Sequence, residues 1–381
     1  MIIISEAWRI FRRNLDIKFN GLEIFSGSDE EICRKIIDSC YNHEKRYFQI
    51  SPFKNSNYAE FYARDFGWCC ESLINLGYKK EVLRTLDYAM RIYKKNTGIT
   101  VAISPDDKPF NFPDVYSPDS VAYMFRSIRI AKNKELVRKY AEFLNNEAKR
   151  FREICIDDSG NINKEHFSGM RDYAIVIGSC YDMIMACMLD DEISKINKFM
   201  RREIIKNPFK KLNLKHNLMS NFWNGRYFYD YKDIVCGHNN IYPYFLSIVK
   251  DEKMIRSSLK AIKEAKLDDP LPLKYAPKND RSRFTWQNIF VSSWEKDTSW
   301  TMLGIAYIDV LSKINSKEAG KHLEHYKRLI EKYGFVEVYD ALKPYHSAFY
   351  VSETRMLWAA MYLDLKRIHL KTRVKRDNTK N

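Results

Sequence analysis

The sequence lacks the cysteine patterns that build disulfide frameworks or zinc sites. Its 381 residues include eight cysteines, and none of them forms a Cys-x-x-Cys pair. Most, including Cys33, Cys40, Cys180 and Cys187, stand in apolar stretches with helical spacing, where a thiol behaves as a small hydrophobic side chain. This usage fits a reducing compartment better than a secreted disulfide scaffold.

Targeting and membrane-spanning patterns are also missing. The first residues, Met1 to Glu6, become charged too soon for a signal peptide, and no run of about 18 apolar residues occurs. We therefore expect a cytoplasmic protein without a membrane partner.

Signatures of nucleic-acid and metal binding are absent as well. The formal net charge is +15, yet no RNP, zinc-finger or helix-turn-helix motif accompanies it. Much of the excess is spread along helix faces or collects in the tail 367–381, which we expect to be disordered. His166, His238 and His346 stand apart without His-x₃-His spacing, so we expect no zinc and no other cofactor.

What the sequence does contain is helical periodicity from residue 28 onward. Helices with one charged face alternate with helices that are apolar on nearly every side, and such helices lie outside and inside, respectively. This alternation predicts an all-α fold, an (α/α)6 barrel of six helical hairpins that forms a single domain over residues 1–366. An open solenoid is the alternative. The twelve predicted helices lie near 29–43, 65–78, 80–95, 118–132, 134–154, 171–188, 191–206, 239–249, 252–266, 297–313, 317–333 and 352–366.

The two longer connections, 97–116 and 207–237, carry strand and turn signals. In the second, Asn224-Gly225 stands between Phe222-Trp223 and Tyr227-Phe228-Tyr229, a pattern typical of a β-hairpin turn. We therefore expect short β-hairpin insertions in these connections.

The loops that enter the predicted inner helices are unusually polar and aromatic. In a barrel they emerge at one end, and although helix capping explains each Asp or Ser alone, six such loops together favour a shared ligand pocket. The candidate substrate-binding residues in these loops are Arg64, Asp65, Trp68, Asp119, Arg171, His238, Asp297, Trp300 and Glu353.

The layout resembles the six-hairpin glycosidases, the superfamily of glucoamylases, trehalases and processing α-glucosidases, over roughly residues 25–366. The stretch 62–65 is similar to a glucoamylase stretch whose Arg and Asp grip the sugar, which implies this role for Arg64 and Asp65. The stretch 337–340 is similar to one that carries the general base, and 222–230 resembles a segment common in the group. The resemblance implies a glycoside hydrolase of the inverting type that acts on an α-linked glucoside or short oligosaccharide, with Glu337 as general base.

The general acid is not fixed by this resemblance. Processing α-glucosidases place an Asp directly after a Ser-Gly-x stretch, but here Ser168-Gly169-Met170 is followed by Arg171 and only then by Asp172. Glucoamylases place a Glu a few residues before a His-Phe stretch, whereas Glu165 directly precedes His166-Phe167, closer than that spacing. Asp172 and Glu165 are thus both candidates, with Glu353 in reserve.

Three other classes of function remain open. The cation at position 171 is compatible with a non-catalytic carbohydrate-binding or regulatory protein on the same barrel. The stretch 297–300 is similar to the acid motif of triterpene cyclases, but their aspartate-rich box and Gln-Trp repeats are missing. The third of these classes is a basic helical scaffold that binds RNA. The sugar, its linkage and the oligomeric state are not predicted.

Overall fold

The structure is a computed structural model that describes residues 2–52, 56–96, 98–230, 234–280, 282–291 and 293–378. Helices dominate it, and within these ranges no helix is both long enough and apolar enough to cross a membrane. The α-helices in chain order are α1 (Ile2–Asn20), α2 (Asp29–Ser39), α3 (Ala63–Asn75), α4 (Lys79–Lys95), α5 (Pro118–Ala131), α6 (Lys134–Cys155), α7 (Cys180–Met200), α8 (Leu214–Phe222), α9 (Gly237–Phe245), α10 (Glu252–Glu264), α11 (Thr301–Ile314), α12 (Ser316–Tyr333) and α13 (Ala359–Asn378).

The odd-numbered helices from α3 to α13 form a closed ring. Each packs against the next one in the series, and α13 packs against α3, so the ring has no open edge. Helices α2, α4, α6, α8, α10 and α12 pack on the outside of this ring. The predicted (α/α)6 barrel is therefore confirmed, and the open solenoid is not what forms.

Close packing of the ring depends on small residues at helix contacts. A Cβ at Gly67 of α3 would lie 2.5 Å from the side chain of Tyr123 on α5. A Cβ at Gly304 of α11 would lie 2.2 Å from the hydroxyl of Tyr326 on α12. Neither site has room for a side chain, because protein interiors are packed as densely as organic crystals.

The largest differences between the observed and the predicted helices are three. The predicted inner helix 171–188 begins only at Cys180, since Gly178 adopts a positive φ of 56° and Ser179 caps the helix that follows. The predicted outer helix 191–206 is wrong, because α7 continues to Met200 and α8 takes the outer position. The predicted helix 352–366 begins at Ala359 and continues to Asn378, into the basic segment 367–381, of which 379–381 lie outside the described residues.

Helix α1 was not predicted. It precedes the barrel and lies against the end at which the inner helices begin. Arg13, buried at its centre, donates hydrogen bonds to the side chain of Asn57 at 3.0 Å and to the carbonyl of Val351 at 2.9 Å.

Short strands lie at the end of the barrel where the inner helices begin. They form one sheet of order β3-β4-β5, one of order β10-β9-β8 and the pairs β1-β2 and β6-β7. The turn at Asn224-Gly225 is confirmed, with Trp223 bridged to Phe228. The strands are β1 (Tyr41–Asn42), β2 (Tyr47–Phe48), β3 (Phe61–Tyr62), β4 (Ala102–Ile103), β5 (Pro109–Phe110), β6 (Ala174–Ile175), β7 (Arg283–Phe284), β8 (Ser299–Trp300), β9 (Val338–Asp340) and β10 (Lys343–Pro344), with a 3₁₀ helix at Trp286–Val291.

The eight cysteines are all buried and free. This agrees with their reading as small core residues. Burial raises the pKa of thiols such as Cys69 and Cys187 above its usual range, so they are unreactive at neutral pH.

Candidate active site

One pocket lies at the end of the barrel where the inner helices begin. Its empty space, including the open solvent at its mouth, is about 440 Å³. The loops before α3, α11 and α13 contribute most of its wall, together with the segment before α7. The lining residues are Ile50, Tyr58, Tyr62, Arg64, Asp65, Trp68, Met170, Asp172, Tyr275, Trp294, Trp300, Met302, Glu337, Met356 and Trp358.

Glu337 is held in the pocket by neutral groups. The hydroxyl of Tyr58 donates to Oε1 at 2.5 Å, and the hydroxyl of Tyr350 donates to Oε2 at 2.6 Å. The backbone N–H of Glu353 also donates to Oε2, at 3.2 Å. Burial raises the pKa of Glu337 to about 7, although these hydrogen bonds favour the charged form and lower it.

Strand pairing fixes the position of Glu337. β8 pairs with β9, so that Trp300 lies opposite Val338, and the N–H of Thr301 donates to the carbonyl of Glu337 at 3.1 Å. The start of α11 and the segment before α13 therefore meet at this carboxylate.

Arg64 organises the acidic part of the pocket. Its guanidinium lies 3.1 Å from Asp172, 3.3 Å from Asp119 and 4.0 Å from Asp65, and it also donates to the carbonyl of Gly169. Burial would lower the pKa of Arg64, but Asp172 and Asp119 raise it well above its usual value, so the guanidinium stays charged. Asp119 lies beneath Arg64, outside the pocket lining.

Asp65 is a buried carboxyl with an unusual proton affinity. The indole N–H of Trp358 donates to it at 3.1 Å. Burial raises the pKa of Asp65 to about 7; Arg64 opposes this increase, and the charge of Asp172 adds to it. Asp65 is thus able to change protonation near neutral pH.

Arg171 and Asp172 point in opposite directions. Asp172 faces the pocket with about a quarter of its side chain exposed. Burial raises its pKa, while Arg64 lowers it. Arg171 turns away and binds Asp280 at 2.6 Å and the hydroxyl of Ser282 at 3.3 Å. The side chain that reaches the pocket from this segment is thus the carboxylate of Asp172 and not the guanidinium of Arg171.

A second, smaller cavity adjoins the pocket, and Met170 lines both. Its empty space is about 340 Å³, and Arg171, His238, Asp182 and Asp230 are among its lining residues. Burial and the nearby Arg171 lower the pKa of His238 well below its usual value, so the ring is neutral at pH 7. Arg171 and His238, two predicted binding residues, therefore face this second cavity.

Three further candidates lie outside the pocket. Glu165 is exposed on the surface. Asp297 lies 3.5 Å from the exposed Lys278. Glu353 is buried away from the pocket, where the Arg13 guanidinium lies 3.3 Å from it and the N–H of Asn57 donates to it at 2.9 Å.

Sequence reasoning missed Glu295. Its carboxylate is buried and accepts hydrogen bonds from the N–H groups of Tyr173 and Ala174, both at 3.0 Å to Oε2, directly after Asp172. Burial and the charge of Asp172 raise the pKa of Glu295 to about 8. In the sequence, its position beside Trp294 is a weak indication of a pocket residue, and the loop before α11 favoured Asp297 instead.

Aromatic rings form the rest of the wall. The ring centroids of Trp294 and Trp300 lie 4.9 Å apart, those of Trp68 and Trp358 5.9 Å, and those of Trp300 and Trp358 6.4 Å. Such flat apolar faces suit the flat face of a sugar ring, although these rings also pack on one another.

Within the described ranges, one group of side chains could hold a metal ion. Ligand atoms of Asp268, Glu318 and His322 lie within 4.8 Å of one another. None of the three lines the pocket, and Lys263 already forms a salt bridge with Glu318. The candidate active site therefore has carboxylates, a guanidinium and aromatic rings as its chemical groups.

The sequence matches no known family model, and no curated protein matches it. The fold nevertheless resembles that of several solved glycosidases. A glycosidase variant in complex with glucose superposes with a TM-score of 0.62 at 11% identity, over 90% of this chain and 96% of that one.

Two other solved structures show the same likeness. A rhamnosidase from Klebsiella oxytoca with rhamnose bound has a TM-score of 0.60 at 13% identity, over 90% of this chain and 63% of that one. A GH63 mannosylglycerate hydrolase from Thermus thermophilus in complex with Tris and D-glycerate has a TM-score of 0.57 at 9% identity, over 89% and 100%. At these identities the likeness establishes the fold.

Proposed function

We propose that the protein is a glycoside hydrolase whose pocket cleaves the bond to a terminal sugar. The observation that carries this proposal is the pair of carboxyl groups, Glu337 and Asp172, in the lining of one tryptophan-walled pocket. Glycosidic hydrolysis uses two carboxyl groups at the scissile bond. The barrel is also shared with solved glycosidases, one of them in complex with glucose.

Glu337 acts as the general base. An ionised carboxylate has about four acceptor positions, and three on Glu337 are taken by Tyr58, Tyr350 and the N–H of Glu353. One position remains for a water molecule. Because both oxygens already accept hydrogen bonds, the carboxylate is better suited to deprotonate water than to attack a sugar carbon itself. This supports an inverting mechanism.

Asp172 acts as the general acid. Burial raises its pKa, which favours the protonated form that donates to a leaving group. The ion pair with Arg64 works in the opposite direction. A substrate hydroxyl that binds Arg64 would weaken this pair and release Asp172 for proton donation.

Arg64 and Asp65 hold the sugar. The guanidinium offers a planar set of donors, and the carboxylate accepts from hydroxyl groups. Since the pocket is small and walled by Trp68, Trp300 and Trp358, it accepts one terminal ring. We propose an α-linked glucoside or short oligosaccharide as substrate.

One observation favours a second candidate, a carbohydrate-binding protein without activity. The contact between Arg64 and Asp172 at 3.1 Å is that of a carboxylate neutralised by a cation. If the pair persists when sugar is bound, Asp172 has no proton to donate, and the pocket binds without cleaving.

A substrate panel separates the two. Purified protein is incubated with methyl, aryl and disaccharide α- and β-glycosides, and released sugar is measured, with Glu337→Gln run in parallel. The proposal predicts release by the parent and not by the variant. Sugar binding in calorimetry without any release supports the second candidate, and neither binding nor release rejects both.

A further inference from the structure

Helix α1 presents an apolar face to solvent. Trp8, Phe11, Leu15 and Phe19 are 40–79% exposed, and their spacing of three or four residues places them on one side of the helix. The buried Arg13 lies on the side that packs on the barrel. Contiguous exposed apolar side chains on a folded protein are typical of an interaction site.

The barrel holds this face in a fixed orientation. Arg9 of α1 forms a salt bridge with the buried Glu60 at 2.9 Å. Asn14 donates to the carbonyl of Phe349 at 2.5 Å. These polar contacts occupy the inner side of α1, so the apolar side remains outward.

A second group of exposed apolar side chains lies beside the pocket mouth. The rings of Phe290 and Phe349 are 5.1 Å apart, and those of Trp286 and Phe290 are 5.9 Å apart. These three and Ile289 are 40–77% exposed. Phe349 directly precedes Tyr350, which binds Glu337 inside the pocket. The contact of Asn14 with Phe349 joins this group to α1.

The charges beside the apolar face of α1 favour an anionic partner. Arg9 and Arg13 face the barrel, where they lie against Glu60 and Glu353. Arg12 and Lys18, the other two basic residues of α1, are exposed. The chain as a whole has a formal charge of +15. Each basic residue near an anionic lipid surface adds to the attraction.

We propose that α1 and the residues 286–290 and 349 form a docking surface for an anionic lipid bilayer. A helix with Trp, Phe and Leu on one face and Arg and Lys beside them lies in the plane of the interface without crossing the membrane. The pocket mouth then opens at the level of the lipid headgroups. The proposal concerns binding at a membrane surface and not a membrane span, and it does not depend on the proposed hydrolase activity.

The test is co-sedimentation of the full chain with vesicles. One set contains phosphatidylcholine alone, and the other contains phosphatidylcholine mixed with phosphatidylserine. The double variant Phe11→Ser/Phe19→Ser removes two exposed rings. The control, Ile368→Ser/Leu370→Ser, removes two other exposed side chains, at 51% and 50%, from α13, about 14 and 17 Å along that helix from its first residue. Circular dichroism verifies that each variant is folded.

We expect the parent and the control to sediment with the anionic vesicles and not with the neutral ones. The double variant should lose about tenfold or more in partitioning, because each ring buries apolar surface in the interface. Three results would overturn the proposal: no sedimentation of the parent, equal binding to both vesicle types, or parent-like binding by the double variant. A dimer in analytical ultracentrifugation that the double variant dissolves would also overturn it, since a second copy would then cover the face.

Discussion

Glu337 and Glu353 lie sixteen residues apart, and both are buried, yet their surroundings differ. Glu353 faces the Arg13 guanidinium at 3.3 Å and accepts from backbone N–H groups of Asn57 and Thr354, both at 2.9 Å. Glu337 is bound by two tyrosine hydroxyls and one N–H, and no cation pairs with it among the described salt bridges. A cation therefore compensates the charge of Glu353, whereas no described cation compensates that of Glu337.

This difference separates a structural carboxylate from a reactive one. A buried carboxylate beside a cation holds segments together, and its charge is compensated. A buried carboxylate bound only by neutral donors keeps a raised pKa and an open acceptor position. Glu337 also lines the pocket, and Glu353 does not. The sequence alone placed both among the site candidates.

The largest effect should come from Glu337→Gln. We expect a loss of about 10²–10⁴-fold in kcat on a cleaved glycoside, the typical contribution of a general base. The unfolding free energy should not fall, because burial opposes ionisation of Glu337 above its pKa of about 7 and glutamine avoids that cost. Steady-state kinetics and thermal melts at pH 8 measure both quantities. Parent-like turnover would assign the base elsewhere.

The next largest effect should come from Asp172→Asn, with a loss of kcat comparable to that of Glu337→Gln or somewhat smaller. Its control is Glu165→Gln, since Glu165 is exposed and outside the pocket. The loss should be smaller on an aryl glycoside with a good leaving group, which needs less protonation. If both variants keep full activity on a disaccharide, the acid is a third group, and Glu295 becomes the next candidate.

Glu353→Gln should affect stability and not chemistry. Removal of one partner from a buried ion pair typically costs about 3–5 kcal/mol, and Arg13 would lose the carboxylate it faces. Chemical denaturation measures this change, and kcat of the folded fraction should stay within about threefold of the parent, well short of the loss of a catalytic group. A stable but inactive Glu353→Gln would reverse the comparison with Glu337.

The smallest effect is a pH shift in Tyr58→Phe. Activity requires ionised Glu337, so kcat/KM should rise as pH passes about 7. The Tyr58 hydrogen bond lowers this pKa, and its loss should move the rise upward by about one to two pH units, since a hydrogen bond to a charged group is worth about 1.5–3 kcal/mol. Tyr275→Phe is the control, because that hydroxyl donates to the carbonyl of Met170. If Tyr58→Phe leaves the pH of this rise in kcat/KM unchanged, the group that titrates is Asp65, whose pKa is also about 7.

The barrel could be predicted from sequence because its signal is local. Inner and outer helices differ in which faces are apolar, and that pattern is visible within each helix. The helix predicted to begin at residue 171 does not form over 171–177, where the chain makes β6 and a turn. This segment is extended because it pairs with β7, which lies far along the chain. Helix α1 was not predicted, although the spacing of Trp8, Phe11, Leu15 and Phe19 by three or four residues is typical of a helix.

The site was less predictable because long-range contacts decide where side chains point. Arg171 turns away from the pocket because of Asp280, and Glu295 supports the Asp172 segment from far along the chain. Tyr58 contacts Glu337 across 279 positions. No local pattern encodes these pairs. The positions of Arg64, Asp65, Trp68, Asp172, Trp300 and Glu337 in the pocket follow from the loops, while their catalytic and binding roles stay predictions.

The most direct measurement is the anomeric configuration of the first product. Proton NMR during hydrolysis of the best substrate distinguishes the two anomers before they interconvert. If Glu337 deprotonates water, the parent releases sugar of inverted configuration. Release of the retained anomer would contradict this account, because Glu337 or another carboxylate would then attack the sugar itself.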